Sequence, residues 1–165
     1  MNEHLSERIH FSKRYLLRHE PDAFDKNYLK QIVKNVISEY EIKSIDEEIY
    51  KEVLNIDWAA DGCCFYRSFK DFKEKGLGYV AYKDGQLICI ASSYITYKST
   101  IDVTIGTLEE YRRKGLAVAC AASLILECLE RGIYPAWAAA NMASLALAEK
   151  LGYHLDKEHD IQILM

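Results

Sequence analysis

The sequence lacks the segments that direct a chain into or across a membrane. Its first eight residues, Met-Asn-Glu-His-Leu-Ser-Glu-Arg, contain no apolar signal-peptide region. No run approaches the roughly 18 consecutive apolar residues that a membrane span requires. We therefore expect a cytoplasmic protein without a membrane partner.

Signatures of disulfide and metal sites are also missing. The five cysteines are an odd number and form no C-x-x-C pair, which argues against a disulfide framework and a structural zinc site. The histidines have no partners at metal-ligand spacing, so no metal is expected. Most cysteines are interpreted as reduced core residues; the adjacent Cys63 and Cys64 are the pair to examine for reactivity.

A basic surface is missing too. The net charge is −4, and Lys and Arg are scattered among the acidic residues, so we expect no nucleic-acid partner. The chain has no G-x-x-x-x-G-K-[ST] motif, which disfavours a nucleoside-triphosphate enzyme. Half of the 165 residues are apolar and 28% are charged, which predicts a single globular domain over residues 1–165.

Periodicity predicts a helical N-terminal segment over residues 1–56. Three helices are expected there: Leu5 to about His19, Phe24 to Tyr40, and one that begins at the capping box Ser44-x-x-Glu47. Residues 57–165 read as a loop and short helix, then a hairpin, and then alternating strands and helices. This order predicts an α/β domain with a mixed sheet. The helices of residues 57–165 are expected at 68–76, 115–130 and 141–151, and its strands at 77–83, 86–97, 101–107, 133–137 and 153–165.

The segment Ile101 to Ala117 is the most informative part of the chain. β-Branched residues at every second position from Ile101 predict a half-buried strand, and a helical period begins at Gly115. Between them lies a turn with the cations Arg112, Arg113 and Lys114. A strand that passes through a basic turn into a helix N-terminus directs backbone N–H groups at one point, which favours an anion and, at this spacing, a pyrophosphate.

The pattern Arg112-x-x-Gly115-x-Ala117 resembles the acetyl-CoA loop of the GNAT superfamily, the Gcn5-related N-acetyltransferases. The segment from Gly132 to Tyr153, in which Asn141 begins the last helix, also resembles this superfamily, and in particular a bacterial subgroup of largely uncharacterised members. The resemblance implies a GNAT-like mixed, mostly antiparallel sheet with flanking helices. It also implies that residues 57–165 form the acetyl-CoA-binding core.

The resemblance further implies roles for individual residues. Acetyl-CoA is the expected acyl donor, and the backbone of Ile105 and Thr107 would bind its pantetheine arm and acetyl carbonyl. Asn141 would lie beside this arm, with Ser144 one turn further on. The pyrophosphate would be held by Arg112 and by the main-chain amides of Arg113, Lys114, Gly115, Leu116 and Ala117.

The sequence departs from the superfamily at the positions that handle protons. Ala148 stands where many members carry a tyrosine that protonates the departing thiolate, and Ala138 stands where the subgroup commonly has an aspartate. Asp102, early in the central strand, is the candidate general base; a solvated strand carboxylate is the alternative reading.

Two functions follow from the sequence. The first is N-acetylation of an amine of a small molecule or peptide, and the second is a non-catalytic acyl-CoA-binding regulatory module. A donor with a longer acyl group stays open. The apolar N-terminal stripe also permits a homodimer.

Overall fold

The computed structural model describes the backbone of residues 9–164 and the side chains of residues 15–156. This part of the chain contains five α-helices and eight β-strands. The helices are α1 (Lys26–Lys34), α2 (Glu47–Leu54), α3 (Phe69–Lys75), α4 (Leu116–Arg131) and α5 (Met142–Leu151). The strands are β1 (Ile9–Leu17), β2 (Glu41–Ser44), β3 (Gly78–Lys83), β4 (Gln86–Tyr97), β5 (Thr100–Thr107), β6 (Tyr134–Ala136), β7 (Ala138–Ala139) and β8 (Leu155–Leu164).

The strands form two sheets. The larger has the order β2-β3-β4-β5-β6 and is antiparallel except for the parallel pair β5–β6. In the smaller sheet, β1 lies between β7 and β8 and is antiparallel to both. The predicted α/β class with a mostly antiparallel sheet is therefore confirmed.

Helices cover both faces of the larger sheet. One core cluster lies under α1, α4 and α5 and includes Ile101 of β5 and Leu124 of α4. The other lies under α2 and α3 and includes Val80, Ile90 and Phe72. Successive side chains of a strand alternate between these faces, so β5 contributes Ile101, Val103 and Ile105 to the α4 side.

The helix predicted from Leu5 to His19 is wrong over the residues that the structure describes. Residues Ile9–Leu17 form β1, which pairs with β8 along its length. Apolar residues occupy every second position from Ile9 to Leu17 except Lys13, which is a strand pattern, but the partner strand lies at the other end of the sequence. Leu5 lies outside the described residues.

The other two N-terminal helices exist with different limits. Helix α1 ends at Lys34 rather than Tyr40. Ser44 is not a helix cap, because it is the last residue of β2, a strand that the sequence did not predict. The N-cap of α2 is Asp46, whose Oδ1 accepts a hydrogen bond from the Ile49 N–H at 2.8 Å.

The hairpin and the α3 cap agree with the sequence prediction. Asp84 and Gly85 have φ values of 49° and 80°, as a two-residue turn with positive φ at both positions requires. Ser68 Oγ accepts a hydrogen bond from the Asp71 N–H at 3.2 Å. No helix within residues 9–164 has the length and apolar character needed to cross a membrane.

Four of the five cysteines are buried, and only Cys64 is exposed. Burial raises the pKa of Cys63 to about 12, because a thiolate would be cut off from water. Burial also raises the pKa of Cys128 to about 12. Burial and the nearby Asp61 raise the pKa of Cys64, so Cys63 and Cys64 are not an activated pair.

We predict that Ellman's reagent modifies one thiol per native chain at pH 8. The reacting residue is Cys64. Because its pKa is raised, most of this thiol is protonated at pH 8, and the rate increases as a higher pH forms more of the reactive thiolate. In concentrated urea all five thiols react. Cys64→Ser should bring the native count to zero, and a native count of two or more would contradict the burial described here.

Candidate functional site

Strands β5 and β6 separate within the larger sheet. Their parallel pairing covers only Thr100 to Asp102 of β5 and ends where Asp102 faces Ala136. On its other edge, β5 stays paired with β4 as far as Thr107. The β6-facing edge of β5 is therefore unpaired with β6 from Val103 to Thr107, and we call this opening the β5–β6 gap.

Two hydrogen bonds define which backbone groups face the gap. The Leu108 N–H donates to Ile88 O of β4 at 2.9 Å, and Ser99 O accepts from the Tyr134 N–H at the start of β6 at 2.8 Å. Backbone groups alternate in direction along a strand, so odd-numbered residues of β5 face β6. The backbone of Ile105 and Thr107 thus lies along the gap, at the positions predicted to bind the pantetheine arm.

The turn after β5 exposes a row of backbone donors. Among the described residues, none accepts a hydrogen bond from the six N–H groups of residues 113–118, and α4 has no side-chain N-cap. Arg113 and Gly115 both have positive φ, 64° and 78°. Such alternation turns successive N–H groups into one concavity, and the helix dipole adds positive potential there. The turn has the geometry of an anion site.

Gly115 leaves the concavity open. A Cβ built on it would meet only Val36 Cγ1, at 3.9 Å. The side chains of Arg113 and Lys114 are exposed, and Lys114 Nζ lies 5.7 Å from the Tyr111 ring centroid. Arg112 Nε donates a long bond of 3.4 Å to Thr107 O, so Arg112 links the turn to the end of β5.

Asn141 and Ser144 cap the start of α5 and connect it to Trp137, which lies between β6 and β7. Asn141 is the N-cap, and its Oδ1 accepts from the Ser144 N–H at 2.8 Å. Trp137 Nε1 donates to Ser144 Oγ at 3.2 Å. In the Trp137 bond the Ser144 hydroxyl oxygen is an acceptor, and its proton is not used as a donor. Both residues therefore have a structural task, and their predicted contact with a ligand stays a prediction.

Asp102 lies where the gap begins. Its carboxylate is exposed and lines a cavity of about 230 Å³. A Cβ on Gly106 would contact Trp58 on the α2 side of the sheet, and Asp102, four residues earlier, shares that face. The carboxylate and α4 are therefore on opposite faces of β5. Sequence reasoning missed the cavity because part of its wall comes from residues 16–19, which were assigned to a helix.

The structure places no ionisable group at the two departures from the superfamily. Ala148 is fully buried in the core, and Ala138 pairs with Leu16 of β1. Tyr153 does not replace the missing tyrosine, because its hydroxyl donates to Pro135 O at 2.7 Å and burial raises its pKa far above the usual value. Among the described residues, these positions offer no proton donor for a leaving group.

A mixed sheet whose central strands separate beside a turn of free N–H groups is the arrangement that the sequence resemblance to the GNAT superfamily implies. A family model described as GNAT acetyltransferase matches residues 1–162. The chain therefore belongs to the GNAT acetyltransferase family, which confirms the resemblance drawn from the sequence.

Individual relatives agree with this assignment. The uncharacterised N-acetyltransferase YdfB of Bacillus subtilis (strain 168) is 29% identical over 161 residues, which make up 95% of this chain and 58% of that protein. A GCN5-related N-acetyltransferase-like protein from Streptococcus suis 89/1591 is 38% identical, with a TM-score of 0.94 over 99% of this chain and 66% of that one. A putative GNAT acetyltransferase from Novosphingobium aromaticivorans, 18% identical with a TM-score of 0.62 over 92% of this chain and 63% of that one, shares the fold. The chain thus spans about three fifths to two thirds of the length of these relatives.

Proposed function

We propose that this protein is an acetyl-CoA-dependent N-acetyltransferase that acts on the amine of a small molecule or peptide. The observation that carries the proposal is the row of free N–H groups of residues 113–118 next to the β5–β6 gap. An elongated thioester with a diphosphate fits this combination of an anion site and an open strand edge.

The residues present fit the diphosphate and the pantetheine arm of acetyl-CoA. The concavity at Gly115 is open, so the diphosphate can approach the main chain closely. Arg113 and Lys114 supply positive charge at its edge. The backbone of Ile105 and Thr107 supplies donors and acceptors for the amide groups of the pantetheine arm. When bound, the coenzyme supplies an activated acetyl group.

In the proposed reaction, the neutral acceptor amine attacks the acetyl carbonyl carbon. A C–N bond forms, the C–S bond breaks, and the thiolate leaves with the electron pair. The amine proton passes to Asp102, directly or through water. Backbone N–H groups of the gap stabilise the oxyanion. A thiolate leaves readily near neutral pH because thiol pKa values are about 8.5, so transfer can proceed without an acid at Ala148.

The second candidate is a module that binds acyl-CoA without transferring the acyl group. The buried Ala148 favours it, because the structure offers no tyrosine at this position. The donors of residues 113–118 would serve binding alone equally well.

Calorimetry with CoA and a thiol-release assay with acetyl-CoA separate these functions. Cys64→Ser is the protein to use, because it removes the exposed thiol that the thiol reagent would otherwise detect. We expect CoA to bind and at least one amine in a broad panel to accelerate thiol release. Binding without release across the panel supports the module, and absence of CoA binding contradicts both functions.

A further inference from the structure

A cavity of about 230 Å³ lies beside the start of the β5–β6 gap. At about 30 Å³ per water molecule, its volume corresponds to seven or eight waters, which suits a molecule of amino-acid size. Its charged and aromatic lining residues are Arg18, His19, Asp102, Tyr134 and Trp137.

Tyr134 holds one wall of this cavity in place. Its hydroxyl donates to Arg18 O at 2.9 Å and accepts from the Glu20 N–H at 3.1 Å. The ring of His19 lies on the Tyr134 ring, with 3.7 Å between centroids. The backbone at Arg18 is also bound to His154, whose carbonyl accepts the Arg18 N–H at 2.8 Å. Arg18 therefore extends from a fixed segment.

The cavity carries one negative and one positive side chain. Asp102 is the acidic residue of its lining and Arg18 is the basic one, and both residues are exposed. Among the side chains of residues 15–156, no carboxylate lies within 4.0 Å of the Arg18 guanidinium, and the nearby Glu20 pairs with His154 at 3.1 Å instead. A guanidinium binds carboxylates through two parallel hydrogen bonds.

We propose that this cavity binds the acceptor, and that the acceptor is a small primary amine that carries its own carboxylate, such as a free amino acid. The proposal rests on the proposed acetyltransferase function. The amine lies at Asp102, at the point where the strands part, and the carboxylate lies at Arg18. An amine that has no carboxylate can interact with Asp102 but not with Arg18.

The test compares amines that differ only in the carboxylate. Leucine is paired with isoamylamine, and phenylalanine with phenethylamine, in the thiol-release assay. Because a hydrogen-bonded charge pair is worth about tenfold to a hundredfold in affinity, we expect kcat/KM to be at least about tenfold higher for the amino acid of each pair. Arg18→Gln should lower this ratio by about tenfold or more relative to wild type, and Arg18→Lys should retain part of the wild-type ratio.

Arg67→Gln is the matched control, because Arg67 is an exposed arginine outside the cavity; it should leave the ratio unchanged. A wild-type ratio near one, or an unchanged ratio in Arg18→Gln, overturns the proposal while thiol release with other amines preserves the acetyltransferase function. If no amine is turned over, saturation-transfer NMR of the same pairs on wild type and Arg18→Gln measures binding, and the same two outcomes apply.

Discussion

Replacing Gly115 with glutamate should weaken CoA binding by at least about 100-fold. The Cβ of the new residue enters open space beside the free N–H groups, so its carboxylate lies next to the diphosphate. At 5 Å and an effective dielectric constant of about 20, each pair of like charges costs about 3 kcal/mol, and about 1.4 kcal/mol corresponds to a tenfold change. Calorimetry measures the loss, and adding Arg112→Ala should increase it.

Gly132→Glu is the control for backbone strain. Gly132 ends the same helix with φ at 70°, and a Cβ there would meet no atom within 4 Å. Both glutamates therefore adopt the left-handed conformation, at a cost of about 1–2 kcal/mol, and add the same charge. Only the Gly115 variant should lose CoA affinity. Unchanged affinity in that variant, or an equal loss in both, would show that the coenzyme binds elsewhere.

The elements of the second half of the chain were predictable because their signals are local. Asp84 and Gly85 adopt positive φ and so form the turn of a hairpin. Gly115 and Gly132 also adopt positive φ, and they mark the start and the end of a helix. The N-terminal strand β1 was not predictable in this way. Its partners are β7 and β8, more than 120 residues away in sequence, and short apolar periods do not separate helix from strand without them.

The candidate site also contains parts that the sequence predicts and parts that it does not. The basic turn and Gly115 were predictable, since the anion site is made by consecutive residues. The end of the β5–β6 pairing at Asp102 and Ala136 depends on the path of a second strand. The position of Arg18 in the cavity depends on β1, so no pattern around Arg18 indicates a binding residue. Asn141 was predictable as the start of α5, whereas the Trp137 Nε1 bond to Ser144 Oγ arises only in the folded chain.

Asp102→Asn should lower kcat/KM for N-acetylation by about 100-fold or more. Asparagine has nearly the same shape as aspartate but cannot accept the proton that the attacking amine must lose, and a positioned general base contributes about 10²–10⁴-fold. Asp102 is the last residue of β5 that pairs with β6, so it lies at the closed end of the gap, beyond Ile105 and away from the diphosphate turn, where the acceptor amine is expected. The affinity for CoA should stay within about twofold, because the diphosphate site is at the other end of the gap. Steady-state kinetics and calorimetry on the same variant separate the two effects.

Asp84→Asn provides the same chemical change away from the site. Asp84 lies in the β3–β4 hairpin with φ at 49°, a conformation that asparagine adopts readily, so this variant should keep both kcat/KM and CoA affinity. If kcat/KM falls in Asp102→Asn but not in Asp84→Asn, the loss is due to the Asp102 carboxylate. If the Asp102 variant retains kcat/KM within about twofold, Asp102 is a solvated strand residue, and the proton leaves through water alone. The contrast decides whether this family member, with alanine at position 148, still uses a protein group to move the proton.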